Sequence, residues 1–422
     1  MANPTPYKIA VPDEELAWIT DRVRTARIPP GKDLPTEELW KSWGLPSSYA
    51  KQLHKTWTTT YDWRKVERQL NEELTQFTLP INHGGEELTM HFVHNRSPHK
   101  DAVPLLFMHG WPGSFLEVRP IIRLLTHPAN PEENPEEQAY HVVAPSLPGF
   151  GFSSYPKNPV SPMDMAEVVY KLMTALSYDK FMVQGGDWGS IISRFLAANH
   201  PDNCRAIHLN ALISGPPSPI WNPVAMGKLV LAVATGGWGL TEFEKRGLGR
   251  MQWWNKYENG YQAIQGTKPQ TIAYGLSDSP FGLACWMREK VQFLTDDDFE
   301  WDDEQVITLA MPHIINGTPG HAEIYKWIPK NEERSLLEAF KKVIPRQVSF
   351  GASMFPKDIL YIPEWWARAN VAENLIFWKE HKMGGHFPSI ERPATLVADI
   401  REFTGKIDKG VIKELRRSGG SQ

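Results

Sequence analysis

Gly185-Gly186-Asp187-Trp188-Gly189 is the segment of this chain best suited to chemistry. It joins a short apolar run, Phe181-Met182-Val183, to an apolar helical pattern, and it sets a carboxylate among small residues. A small-x-nucleophile-x-small segment between strand and helix forms a sharp elbow that exposes its middle side chain. Gly185 and Gly189 are needed because the turn brings strand and helix backbones too close for side chains. The usual occupant of the middle position is Ser, and Asp changes the reaction. A carboxylate with an ordinary pKa of about 3.9 is ionised at neutral pH and needs no base in order to attack. It is weak toward acyl carbons but suits displacement at a saturated carbon, which leaves an alkyl ester on the protein. A glycine-flanked Asp in a turn is otherwise often a cap or an Asx-turn. The chemical assignment therefore depends on partners elsewhere in the chain.

The first partner is His109-Gly110-Trp111-Pro112, which follows the apolar run Leu105-Leu106-Phe107-Met108. In the α/β-hydrolase fold this slot supplies one oxyanion-hole donor, and the residue after the nucleophile supplies the other. The backbone N–H groups of Trp111 and Trp188 are the expected pair. Pro112 fixes the loop, and the Trp111–Pro112 bond is a candidate for the cis form. Nucleophile, acid and His follow one another in that order in this fold. Asp358, in Phe355-Pro356-Lys357-Asp358, is the expected acid, and His386, in Gly384-Gly385-His386-Phe387, the expected base. Asp358 would fix the His386 tautomer and stabilise its imidazolium. His381, within the charged run Lys379-Glu380-His381-Lys382, is read as solvent-exposed.

Short apolar strands alternating with helices must hold these residues, which predicts an α/β fold with a mostly parallel sheet covered on both faces. Strands are expected at residues 88–94, 105–108, 141–144, 181–183, 347–350 and 374–378, and a helix over 163–176. The first hundred residues read as helical, with Leu16, Ile19, Val23 and Ala26 at helix spacing and Asp62 as N-cap of a second helix. The rhythm breaks at Ser214-Gly215-Pro216-Pro217-Ser218-Pro219, and a strandless stretch rich in Trp, Gly and Tyr follows. The interval from Asp187 to Asp358 is too long for one strand–helix step, so an inserted cap is expected. The resulting division is an N-terminal arm over 1–98, core over 99–215 and 341–422, and a helical cap over 216–340. The acidic run Asp296 to Glu304 reads as a solvated helix or loop.

With these residues in hand, the chain resembles the microsomal-type epoxide hydrolases, particularly the soluble fungal ones, over nearly its whole length. The segments carrying the resemblance include Asp62-Trp63, Met90 to His94, His109 to Gly113, Gly185 to Ser190, Lys268-Pro269, Asp278 to Pro280, Phe355 to Asp358 and Gly384 to Phe387. It implies an arm that wraps core and cap, and two cap tyrosines that hydrogen-bond the epoxide oxygen. The insertion contains Tyr257, Tyr261, Tyr274 and Tyr325, among which composition does not choose. Tyr261 and Tyr325 are the two that match the family pattern. The resemblance further implies hydrolysis of an epoxide to a vicinal diol with water as the only other reactant, no metal or organic cofactor, and a homodimer.

Bulk properties agree with such an enzyme. A net charge of −4 gives no pull toward nucleic acid or anionic membrane. Two cysteines are too few for a disulfide framework and suit a reducing compartment. No apolar stretch reaches the length of a membrane span, so a cytoplasmic protein without a transmembrane anchor is expected. A haloalkane dehalogenase also uses an elbow Asp, but that family typically has Asn after the early His-Gly, where this chain has Trp111. A serine esterase lacks support because no complete Gly-x-Ser-x-Gly occurs. A binding protein that kept only the fold would be expected to lose one of Asp187, Asp358 or His386. His91 and His94 sit an odd number of residues apart on a strand and face opposite sides, unlike a metal pair.

Overall fold

The computed structural model describes residues 3–128, 137–328 and 342–420. Its centre is a nine-stranded sheet in the order β1-β2-β3-β5-β4-β6-β7-β8-β9. The strands are β1 (Thr5–Tyr7), β2 (Gln76–His83), β3 (Glu86–Asn95), β4 (Val103–Met108), β5 (Tyr140–Pro145), β6 (Phe181–Gly185), β7 (Cys204–Leu209), β8 (Ser349–Met354) and β9 (Leu375–Glu380). From β5 through β4 to β9 every pairing is parallel, and β1, β2, β3 and β5 pair antiparallel. The central strands β4, β5, β6 and β8 are buried along their whole lengths. That burial accounts for their unbroken apolar runs, because both faces of a parallel sheet are covered by helices.

The arm contributes both helices and strands: β3 contains the strand expected at 88–94, and β1 and β2 correct the helical reading of the rest. Helices Asp13–Arg24, Ser47–Thr59 and Trp63–Glu73 precede β2 and β3. Proline at position 80 hides β2 in the sequence. Its partner β1 reaches only residues 76–78, so Pro80 lies on an open edge and breaks no ladder there. Asp62 does precede a helix, but its side chain makes no capping hydrogen bond. β7 also escapes sequence reading, because Arg205 and His208 interrupt its apolar residues.

Between β7 and β8 the described elements are all helical, from Pro223–Ala234 to the single 3-10 turn Ile324–Trp327. They form the cap. The expected cap boundary at residue 340 lies outside the described residues. Among the described residues no helix is long and apolar enough to cross a membrane.

Candidate active site

Chain order reverses direction across the sheet at β4, with β5 on one side and β6 on the other. The carboxyl ends of strands at such a switch point form a crevice, and the expected residues collect there. Asp187 follows β6, Trp111 follows β4, Asp358 follows β8 and His386 follows β9. Asp187 opens the helix Asp187–Asn199 with φ of +48°, a left-handed conformation uncommon for any residue with a β-carbon. Strain of this kind persists only where its surroundings over-determine it. Here a side chain at Gly189 would collide with the carbonyl oxygen of Met108, so the helix rides directly on β4.

The Asp187 carboxylate is held at both oxygens. Oδ1 accepts the Trp111 N–H at 2.8 Å, and Oδ2 lies 3.1 Å from His386 Nε2. His386 Nδ1 lies 2.8 Å from Asp358 Oδ1, which also accepts the N–H groups of Ile359 (2.6 Å) and Leu360 (3.1 Å). Those two backbone bonds hold the Asp358 carboxylate in its orientation toward His386. Burial alone would lower the pKa of His386, but Asp358 and then Asp187 outweigh it and hold the ring well above the ordinary histidine value. Both carboxylates thus favour the protonated ring.

The cap closes the other side. Tyr261 and Tyr325 are 7% and 2% exposed, whereas Tyr257 and Tyr274 are 63% and 72% exposed. The first two are enclosed against the core, whereas the other two face solvent. Tyr261 stacks on Trp111 with ring centroids 4.9 Å apart, and Tyr325 stands edge-on to Trp188 at 5.1 Å. The two phenols lie 5.4 Å apart, centroid to centroid. Burial, and for both phenols the charge of Asp187, push their pKa values upward. Both therefore stay protonated at neutral pH and can donate. Trp188 is the second residue of the Asp187 helix, where backbone N–H groups have no intrahelical partner.

Several supporting residues carry no sequence signal. Trp111 Nε1 donates to His321 Nδ1 at 3.1 Å, and His313 Nε2 lies 3.1 Å from the Pro112 carbonyl. Burial lowers the pKa of both histidines, which leaves the His321 ring neutral and able to accept. The Trp111–Pro112 bond is cis. Asp297, Asp298, Glu300, Asp302 and Glu304 are exposed, as the solvated reading of the acidic run expects, but Asp296 departs from it: it accepts the Gly384 N–H and pairs with Arg392. The His386 N–H donates to the carbonyl of Leu294 at 2.7 Å, and Arg250 donates to the carbonyl of Lys357 at 2.6 Å. His381 is also corrected: it is partly buried, stacks on Phe355 and bonds Asp399 at 2.5 Å. His91 and His94 take separate partners, Ser146 with Gln76 and Tyr178 respectively.

The family model described as "Epoxide hydrolase N terminus" matches residues 4–118, and the one described as "alpha/beta hydrolase fold" matches residues 103–235. Epoxide hydrolase 1 of Sus scrofa is 31% identical over 96% of this chain and 89% of its own length. The structure of Aspergillus niger epoxide hydrolase superposes with a TM-score of 0.80 at 31% identity, covering 96% of this chain and 97% of the other. Juvenile hormone epoxide hydrolase from the silkworm Bombyx mori superposes with a TM-score of 0.82 at 25% identity, covering 99% of this chain and 96% of its own. An elbow carboxylate faced by two buried phenols and backed by a His–Asp pair therefore sits in a chain that belongs to the epoxide hydrolase family, with the α/β-hydrolase fold.

Proposed function

We propose that the protein hydrolyses epoxides to vicinal diols in two half-reactions, with Asp187 as nucleophile. In the first, Tyr261 and Tyr325 hydrogen-bond the epoxide oxygen while Asp187 Oδ2 attacks a ring carbon. The ring C–O bond breaks, and one phenol protonates the oxygen that leaves. In the second, His386 takes a proton from water as the water oxygen bonds to the ester carbonyl carbon. The oxyanion forms at Oδ1 against the N–H groups of Trp111 and Trp188. The bond from that carbon to the alkyl oxygen then breaks and His386 returns the proton to the departing diol. The proton left on the Asp187 carboxyl passes back to His386, whose own earlier proton has restored the phenol after ring opening. The observation that carries this reading is Asp187 bonded at once to an oxyanion-hole N–H and to His386.

The charge on Asp187 also times the base. Ester formation neutralises Asp187 and removes one of the two interactions that keep His386 protonated. Burial then has more weight and favours the neutral ring, the form that can accept a proton from water.

The test is one turnover by excess enzyme on styrene oxide in ¹⁸O-water, followed by peptide mass spectrometry. Label should enter the Asp187 peptide, and the first diol should carry none. Labelled diol with an unlabelled peptide would mean direct attack by water and would sink the proposal. For the phenols, Tyr261→Phe and Tyr325→Phe should each slow ester formation about 10²-fold, with ester hydrolysis little changed. Slower hydrolysis with native ester formation, read by stopped flow, would remove both tyrosines from the first step.

The arm, core and cap are taken to divide at residues 98/99, 215/216 and 340/341, and the break at Ser214 to Pro219 supports the second of these. A cytoplasmic site of action is supported by two cysteines that are both unpaired. Trp221, Val224, Val233 and Trp238 are exposed apolar cap residues that a homodimer could cover, readable by sedimentation.

A further inference from the structure

A small cavity lies in the core domain against Asp187 and His386. Its walls also include Glu117, Gln184, Asn210 and Ser389, and none of Trp111, Trp188, Tyr261 or Tyr325 lines it. It therefore opens to the nucleophile from the core, not from the cap. Its volume is about 10 Å³, measured as the space open to the centre of a water-sized sphere, close to what one water molecule needs. Gly186 is part of the wall, and a β-carbon there would lie 2.6 Å from Asn210 Nδ2.

Three residues of this wall each carry a buried polar atom with no hydrogen bond within the protein: Glu117 (Oε1), Gln184 (Oε1) and Ser389 (Oγ). Their residues are 8%, 1% and 2% exposed. The amide nitrogen of Gln184 donates to Asn210 Oδ1 at 2.7 Å, which turns Oε1 away from that partner as a free acceptor. Burial, and then the charge of Asp187, push the Glu117 carboxyl up to about 8, while His386 pulls the other way. Glu117 is therefore neutral at pH 7 and carries a proton it can donate. A single water in this space finds an acceptor in Gln184, a base in His386 and donors in Glu117 and Ser389. Unpaired buried polar groups are costly, and three on one water-sized wall point to a common occupant.

We infer that this cavity holds the water of the second half-reaction and that Glu117, with Gln184, is a positioning residue for it. The inference rests on the covalent ester proposed above. The water oxygen bonds the carbonyl carbon of Asp187, one proton passes to His386 Nε2, and the other stays hydrogen-bonded to Gln184 Oε1. The Glu117 proton is not transferred. Epoxide arrives from the cap and water from the core, so the two reactants do not compete for one place.

The test separates the half-reactions by rapid quench with styrene oxide in the native protein, Glu117→Gln and Glu117→Leu. Ester formation should stay within about threefold in all three, and Glu117→Leu should slow ester hydrolysis about 10²-fold, the scale of a misplaced reactant. Glu117→Gln keeps a neutral donor and should restore most of that rate. Native ester hydrolysis should fall at alkaline pH as buried Glu117 ionises, and the Gln variant should lose that fall. Equal slowing of both steps, or native hydrolysis in the Leu variant, would overturn the inference. If the Leu variant does not fold, the pH profile of the Gln variant decides alone. Absence of any ester in the native protein would overturn the covalent reading together with this one, whereas an ester that all three proteins hydrolyse alike would overturn this one only.

Discussion

Asp187→Asn should lower diol formation on the order of 10⁵-fold, the scale of removing a nucleophile that works as one unit with its base. Asn is the informative replacement because it tolerates the left-handed backbone better than most residues, and the φ of +48° is retained. Its amide oxygen can still accept the Trp111 N–H that now reaches Oδ1. An amide is not nucleophilic enough to open the ring, so the phenols, the oxyanion hole and His386 remain without an attacking group. Thermal unfolding should stay within a few degrees of native, since Asp358 still pairs with His386. Diol formation within tenfold of native, measured by chromatography, would mean that water attacks the epoxide directly.

His386→Gln should give the opposite kinetic picture: one equivalent of ester forms and then persists. Steady turnover should fall about 10⁴-fold, the upper range for loss of a general base, with ester formation largely kept. Asp187 needs no base to attack, so the first half-reaction does not require the imidazole. The second does, because His386 is the base that takes the proton from water. Intact-protein mass spectrometry should show an adduct equal to the mass of the epoxide, located on the Asp187 peptide. Slow turnover without an adduct would mean that His386 serves the first step. Together the two variants place each residue in its own half-reaction.

The catalytic strands were legible in the sequence because burial on both faces leaves short, unbroken apolar runs. The elbow was legible for a different reason: a carboxylate among glycines between a strand and a helix is a local signal. Chain order then pointed to Asp358 and His386, and the structure brings both to Asp187. What stayed hidden depends on contacts remote in the chain. Pro80 disguises β2 because only the short reach of β1 makes a proline tolerable there. Asp296 and His381 sit among charges and look solvated, yet each has a partner in the folded core. The cap tyrosines were separable from Tyr257 and Tyr274 only through resemblance, since helical spacing does not tell which phenol turns inward. Glu117 gave no signal, because its significance lies in a cavity built from segments far apart in the chain.

The loops bearing the acid and the base are anchored in the cap as well as in the sheet. Leu294 and Asp296, where a cap helix ends, hold the backbone of Gly384 to His386, and Arg250 holds Lys357 beside Asp358. A hinge that swung the whole cap away would have to tear these bonds and pull His386 and Asp358 out of register with Asp187. Substrate traffic is therefore confined to motions of the cap that spare residues 294–296 and Arg250. This enzyme is built like a vice whose fixed jaw grips His386, and access must come from the jaw that carries Tyr261 and Tyr325.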